Sequence, residues 1–308
     1  MIFIKDLKEN ESHSEIYLVK MASKSITATG KNYLSLVLAD KTGTISAKKW
    51  DILGDDLEIF KVGKFVQVSF DVTVFKEKLE LKIRDARSVN VTKLDDYIPT
   101  SPIKEEDLVK KLDAYIKEIT DSNLKAIVDE VMKLYKDKFI TYPAASNNHH
   151  AFRNGLLYHT VSMLEVASFL LKHYNNIDKD IILTATLFHD LGKVKELSGL
   201  LPIEYTYEGR MLGHLVIAVN IINNVATKLK LENNDKVIAV EHAILASHGK
   251  YEYGSPVLGM SKEAILLNFI DDLDAKMMMY ENNTKDLNPG EFTKTISTLD
   301  NRRLYKKK

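Results

Sequence analysis

The chain lacks cysteine entirely across its 308 residues. That excludes disulfides, thiolate nucleophiles and Cys-type zinc sites, and it fits a reducing cytoplasm. It also lacks an excess of either charge, because 43 Lys and Arg balance 43 Asp and Glu. This argues against a strongly basic, non-specific polyanion binder and leaves a local basic surface open. No apolar run approaches the ~18–20 residues that span a bilayer. The first ten residues, MIFIKDLKEN, meet charge at once and do not read as a signal peptide. With 45% apolar and 28% charged residues, the composition is globular rather than collagen-like, disordered or coiled-coil. At roughly 100–200 residues per domain, the length suggests two domains.

Residues 1–90 read as strands. Positions 14–23 (SEIYLVKMAS) are rich in β-formers. Positions 31–40 (KNYLSLVLAD) alternate, with Leu34, Leu36 and Leu38 to one side and Tyr33, Ser35 and Val37 to the other. Asp40-Lys41-Thr42-Gly43 has the residues of a turn, and 44–50 is the return strand. A short helix is expected at 53–60, then strands at 65–75 and 79–89. Five strands with a small helix between the third and fourth is the order of an OB-fold barrel. The expected domains are an OB-fold at 1–90, a linker at 91–102 containing Pro99 and Pro102, a helical domain at 103–300, and a frayed basic tail at 301–308. The fold class is thus multidomain, an all-β barrel followed by an all-α bundle. In the second half the period changes to 3.6. Two helices are expected within 104–138, and others at about 155–173, 179–191, 210–230, 235–247 and 261–281.

The chain has nine histidines, and eight of them lie between 149 and 248. His159 and His214 fall on apolar helix faces. His189-Asp190 ends a segment apolar nearly all round, with Gly192 as its expected C-terminal stop. Asp271 shares a face with Leu267, Asp274 and Met278, whereas Asp272 lies on a wetter side. Met277-Met278-Met279 reads as helix packing. Any one of these histidines alone reads as a core residue. Several imidazoles and a carboxylate turned inward on different helices are costly to bury unpaired. Coordination of Zn, Fe, Mn, Co or Ni meets that cost, and helix-borne ligands in a bundle core are a known arrangement. His149, His150 and Arg153, ahead of the His159 helix, are candidates for substrate phosphates. Tyr251, Tyr253 and Ser255 could shape a nucleotide pocket. On the barrel, Tyr33, Trp50, Phe75, Lys24, Lys48, Lys49, Lys82 and Arg84 are candidates for a single-strand surface of stacking rings and cations. Residues 1–90 carry 15 basic against 13 acidic residues, so charge alone supports this weakly.

The order His159, His189-Asp190, Asp271 resembles the HD phosphohydrolase superfamily. The whole chain resembles the YhaM-type 3′→5′ exoribonucleases, which join an OB-fold to an HD domain. The resemblance is carried by TGKNYLSLVLADKTGTISAKKWD, NHHAFRNGLLYHTVSMLEVA, HDLGK, GSPVLGMSKEAILL and DDLDAKM. It implies two divalent ions, Mn²⁺ favoured and Co²⁺, Fe²⁺, Ni²⁺ or Zn²⁺ as others. Asp190 would bridge them. His159, His189 and Asp271 would bind one ion, and His214 with His242 or His248 the other. Lys193 would contact substrate phosphate. The resemblance further implies removal of nucleotides from the 3′ end of single-stranded RNA, and of DNA, releasing nucleoside 5′-monophosphates. In place of the family's double His in a segment like SHHG, this chain reads Ala246-Ser247-His248-Gly249, and Asn268 stands where a His is expected. Two metals about 3.5–4 Å apart suit phosphodiester hydrolysis without a protein nucleophile. Two other readings stand beside this one: an HD hydrolase of small nucleotides, and a non-catalytic single-strand-binding protein. A cytoplasmic homo-oligomer with no membrane association is expected.

Overall fold

The computed structural model describes residues 1–27, 30–145, 152–201 and 203–308. The chain divides into two compact units, Met1–Thr100 and Ser101–Lys308.

The first unit is built from β1 (Ser12–Ile26), β2 (Asn32–Asp40), β3 (Gly43–Trp50), the short helix α1 (Asp56–Ile59), β4 (Phe65–Phe75) and β5 (Lys78–Val89). The strands close into a barrel in the order β1-β2-β3-β5-β4. β3 and β5 run parallel, and the other neighbours are antiparallel. With its helix between β3 and β4, this is an OB-fold. Period-2 alternation drives the closure: in β4, Val66, Val68, Phe70 and Val72 are buried while Gln67, Ser69 and Asp71 are not. They meet Leu34, Leu36, Leu38, Leu81 and Ile83 in one core. The β2–β3 turn is held by Asp40, whose carboxylate accepts from the Thr42 N–H at 2.7 Å. Tyr97 and Ile98 are also buried in this unit, Tyr97 packing edge-on against Phe65.

The second unit is helical. Its elements are α2 (Glu105–Glu118), α3 (Ser122–Thr141), α4 (Gly155–His173), α5 (Lys179–Phe188), α6 (Lys193–Glu196), α7 (Tyr207–Leu229), α8 (Asp235–Leu245) and α9 (Lys262–Thr284). They surround a single apolar core. N-caps Asp121, Asp178, Thr206, Asn234 and Ser261 accept from first-turn N–H groups and set where the helices begin. Every residue of α5 after Lys179 is buried, as its sequence requires. Among the described residues α7 is the one helix long and apolar enough to cross a membrane by length and composition, and 39% of its apolar window is buried within the protein.

Three expectations are corrected. Gly192 is not a left-handed helix stop: its φ is −58° and it caps the start of α6. It is needed for space, because a Cβ there would stand 1.9 Å from the backbone oxygen of His214. Residues 301–308 are not frayed but fold back on 290–296: the Thr293 N–H donates to the Leu304 carbonyl at 2.8 Å, and the Tyr280 hydroxyl to that of Tyr305 at 2.7 Å. The methionine run is not all packing, since Met277 is 55% exposed.

Candidate metal centre

Three imidazoles converge on the Asp190 carboxylate, and a fourth, that of His248, faces one of them. His159 comes from α4, and His189 with Asp190 follows α5 directly. His214 lies in α7 and His248 just past α8. In each ring, Nδ1 faces an acceptor. For His159 this is Asp274 Oδ2 at 2.7 Å, and for His189 the Thr186 carbonyl at 2.9 Å. For His214 it is Glu196 Oε1 at 3.1 Å, and for His248 the Tyr253 carbonyl at 2.9 Å. Nδ1 therefore carries a proton in all four, and the Nε2 atoms point inward.

The Nε2 atoms form two facing pairs. His159 and His189 are 3.2 Å apart, and so are His214 and His248. The first pair faces one oxygen of Asp190, and His214 of the second pair faces the other. Oδ2 lies 3.6 Å from His159 and 3.5 Å from His189, and Oδ1 lies 3.6 Å from His214. Asp271, from α9, adds Oδ1 at 3.3 Å from His159 and 4.0 Å from His189.

Two ring acceptors facing each other at 3.2 Å need positive charge between them, from a proton or a metal ion. Burial opposes a charge on His159, but Asp271 and Asp274 outweigh burial and raise its pKa to about 10. A divalent ion fits the same place. Donors ~2.1 Å from an ion sit about 3.0 Å apart at a right angle and about 3.4 Å apart at the tetrahedral angle, which brackets the 3.2 Å between the paired Nε2 atoms. The donor atoms of His159, His189 and Asp271 all lie within 4.8 Å of one another. These residues could therefore hold a divalent metal, and the nitrogen–oxygen donor set suits a first-row transition ion.

The remaining charges keep the centre anionic. Burial would raise the Asp190 carboxyl, yet Lys193, His189 and His214 hold it well below the usual carboxylate range. Burial likewise works against Asp271, and its bond with His159 pulls it below its ordinary value. Lys193, 2.7 Å from Asp190 Oδ2, stays charged because Asp190 overcomes burial. Burial and the neighbouring His214 push His248 down, so it is held neutral.

Not every expected residue arrives here. The Nε2 of His242 accepts from the Met260 N–H at 3.0 Å, so His248, not His242, partners His214. Arg153 pairs with Glu105 at 3.1 Å. His149 and His150 lie outside the described residues. Ser247 is fully buried beside His248, its hydroxyl without a hydrogen-bond partner among the described residues. Its carbonyl accepts from Asn268 Nδ2 at 2.7 Å, so the two departures from the family pattern touch each other.

Sequence reading missed Glu196 and gave Asp274 no role. The signals were present: Asp274 is one turn beyond Asp271, and Glu196 one turn beyond Lys193. Gly213 was missed as well. Its φ of 71° breaks α7, which leaves the His214 N–H to Glu196 Oε1 at 3.1 Å.

On the barrel, Tyr33 and Trp50 are cross-strand partners with ring centroids 4.8 Å apart. Lys48 Nζ sits 4.4 Å from the Phe75 centroid and 3.1 Å from Glu80. Lys48 and Lys82 are in register. Arg84 pairs with Asp71 at 3.3 Å, and Lys24 and Lys82 are exposed. Lys49 is the exception. It faces the other way, is buried, and donates to the Trp50 carbonyl at 3.2 Å.

An HD domain family model matches residues 156–276, which include His159, His189, Asp190, His214, His248 and Asp271. Two structures of replication protein A domains from Methanococcus maripaludis resemble the barrel. One, the second OB-fold domain, is 25% identical with a TM-score of 0.24 over 30% of this chain and 97% of that one. The other is 27% identical with a TM-score of 0.24 over 29% and 94%. The 3′-5′ exoribonuclease YhaM of Geobacillus sp. (strain WCH70) is 40% identical over 296 residues, covering 95% of this chain and 91% of the relative. An identity of that level across nearly the whole of both chains, barrel and metal centre together, means that this protein belongs to the YhaM family of 3′-5′ exoribonucleases.

Proposed function

We propose that the protein is a metal-dependent 3′→5′ exonuclease that degrades single-stranded RNA, with single-stranded DNA as a second substrate, to nucleoside 5′-monophosphates. The observation that carries the metal part is the two facing imidazole couples, three of whose rings lie within 3.6 Å of Asp190. It supports two divalent ions, which we take to be Mn²⁺, with Asp190 as a ligand shared by both. His159, His189 and Asp271 would hold one, and His214 with His248 the other.

When bound, the ions would lower the pKa of a water and neutralise phosphate charge. Asp190 and Asp271, kept ionised, supply negative charge to hold them. Asp274 and Glu196 fix the orientation of His159 and His214 through Nδ1. Lys193 lines the same cavity as a charged donor and would bind a non-bridging phosphate oxygen. No protein nucleophile is needed. On the OB barrel, Tyr33, Trp50 and Phe75 with Lys48, Lys82 and Arg84 would hold the single strand by stacking and charge. A cysteine-free chain suits a cytoplasmic setting. Exposed Leu134 on α3 would serve a homo-oligomer contact, which light scattering tests.

The deciding experiment compares wild type and Asp190→Asn on a short 5′-labelled single-stranded RNA with Mn²⁺. A ladder shortening from the 3′ end, absent in the variant, is expected. An intact strand with both proteins would sink the proposal.

A further inference from the structure

Above the imidazoles opens a cavity of about 770 Å³. His159, Asp190, His214, His248 and Asp271 line its charged part, and two further elements line the rest. One is α9, through Phe269 and Lys276. The other is the segment after His248, through Lys250 and Tyr253. Phe269 is 64% exposed and Tyr253 61% exposed. The free protein thus leaves the apolar faces of both rings in water, beside a charged site, and forgoes the gain of burying them.

Both rings stand on a fixed frame. The Tyr253 carbonyl is bound to His248 Nδ1, so this tyrosine is tied to a centre imidazole. The residue before Phe269 is Asn268, whose side chain clamps the Ser247 carbonyl. Gly249 presses on that clamp so closely that a Cβ there would meet the Asn268 carboxamide at 2.5 Å, and its φ is +75°. Two residues after Phe269 comes Asp271, with its carboxylate in the centre. A cation, Lys250 Nζ, lies 5.1 Å from the Tyr253 centroid.

A nucleotide whose phosphate reaches the centre must leave its base somewhere in the same cavity. An aromatic ring meets any base by its π-face, without reading its edge. That tolerance is what an enzyme removing successive nucleotides requires. Resting on the exonuclease reading above, we propose that Phe269, with Tyr253 lining the same cavity, is the stacking platform for the base of the 3′-terminal nucleotide. It binds any purine or pyrimidine and positions the scissile phosphate through it.

The test uses two RNA strands identical except that one carries an abasic 3′-terminal nucleotide. Wild type, Phe269→Ala and Phe269→Tyr are compared by kcat and KM on both. Wild type is expected to favour the base-bearing strand by about 30-fold, the middle of the range for one base stacked on one ring. Phe269→Ala should bring that ratio close to one, the loss falling on KM for the base-bearing strand, and Phe269→Tyr should restore it. Because the ring is exposed, the melting temperature of Phe269→Ala should match wild type. An unchanged ratio in a folded Phe269→Ala that still shortens RNA overturns the platform alone. Failure of wild type to shorten either strand overturns the exonuclease reading and the platform with it.

Discussion

Asp274 Oδ2 accepts from the Nδ1 of His159 at 2.7 Å, and its other oxygen accepts from the Ser162 hydroxyl. The carboxylate thus joins α4 to α9 directly behind the metal centre. Removing it leaves the imidazole free to rotate or change tautomer. Asp274→Ala should weaken Mn²⁺ activation, or turnover at saturating metal, by about 10–100-fold. A titration of activity against Mn²⁺ reads this. An unchanged midpoint and unchanged maximum would show that packing alone holds the ring.

Gly192 and His214 make the second prediction. The 1.9 Å approach of a Cβ to the His214 oxygen leaves no room for even a methyl group, and the obstacle is backbone. Gly192→Ala should destabilise the helical unit by about 1–3 kcal/mol, the cost of overpacking. Urea unfolding measures it. Activity should fall by more than the unfolded fraction explains, since His214 would be displaced from His248.

The third prediction contrasts two neighbours on β3. Trp50, half-buried against Tyr33, belongs to the outer face, whereas Lys49 points inward. Trp50→Ala should weaken single-strand RNA binding by about 1–3 kcal/mol. Lys49→Met, which keeps an apolar stem in the barrel, should leave binding as it was. Fluorescence anisotropy on a labelled strand separates them, and equal losses would refute the assignment of faces.

These residues also show what the sequence could reveal. Alternation in β2 and β4 and the 3.6 period of α4 predict element and face together, because burial itself creates those patterns. The HD order locates His159, His189, Asp190 and Asp271 before any coordinates. Lys49 was misread because two adjacent lysines look like one basic patch, although period 2 sends them to opposite sides. His242 and His248 could not be separated by spacing, since the choice turns on a bond to the Met260 N–H from another element. Gly192 was misread because its role is a contact with α7, which no local pattern encodes.

Asp121 gives the fourth prediction. Its carboxyl is held below its ordinary value chiefly by the Leu124 N–H, against burial, with Lys236 adding to the effect. Oδ2 lies 3.2 Å from Lys236 Nζ. A depressed folded-state pKa means stability that is complete above the ordinary aspartate value near ~3.9 and lost as pH falls through the lower folded value. Asp121→Ala should therefore cost about 1 kcal/mol at neutral pH, and the gap to wild type should close in acid. Urea midpoints across that range decide it. A gap that stays constant would assign the whole effect to packing.

The break in α7 at Gly213 turns a helix interruption into an aiming device. The His214 N–H, released from the helix ladder, and the His214 ring both answer to one carboxylate, Glu196. That carboxylate sits on the same short stretch of chain as His189, Asp190 and Lys193. The stretch from 189 to 196 therefore works as a ruler: it spaces the two imidazole couples by its own length. A substitution within it acts at one position. An inserted or deleted residue acts on all of them, because it would rotate every later side chain away from its mark at once. Across relatives of this protein, the length of this stretch is expected to vary far less than its composition.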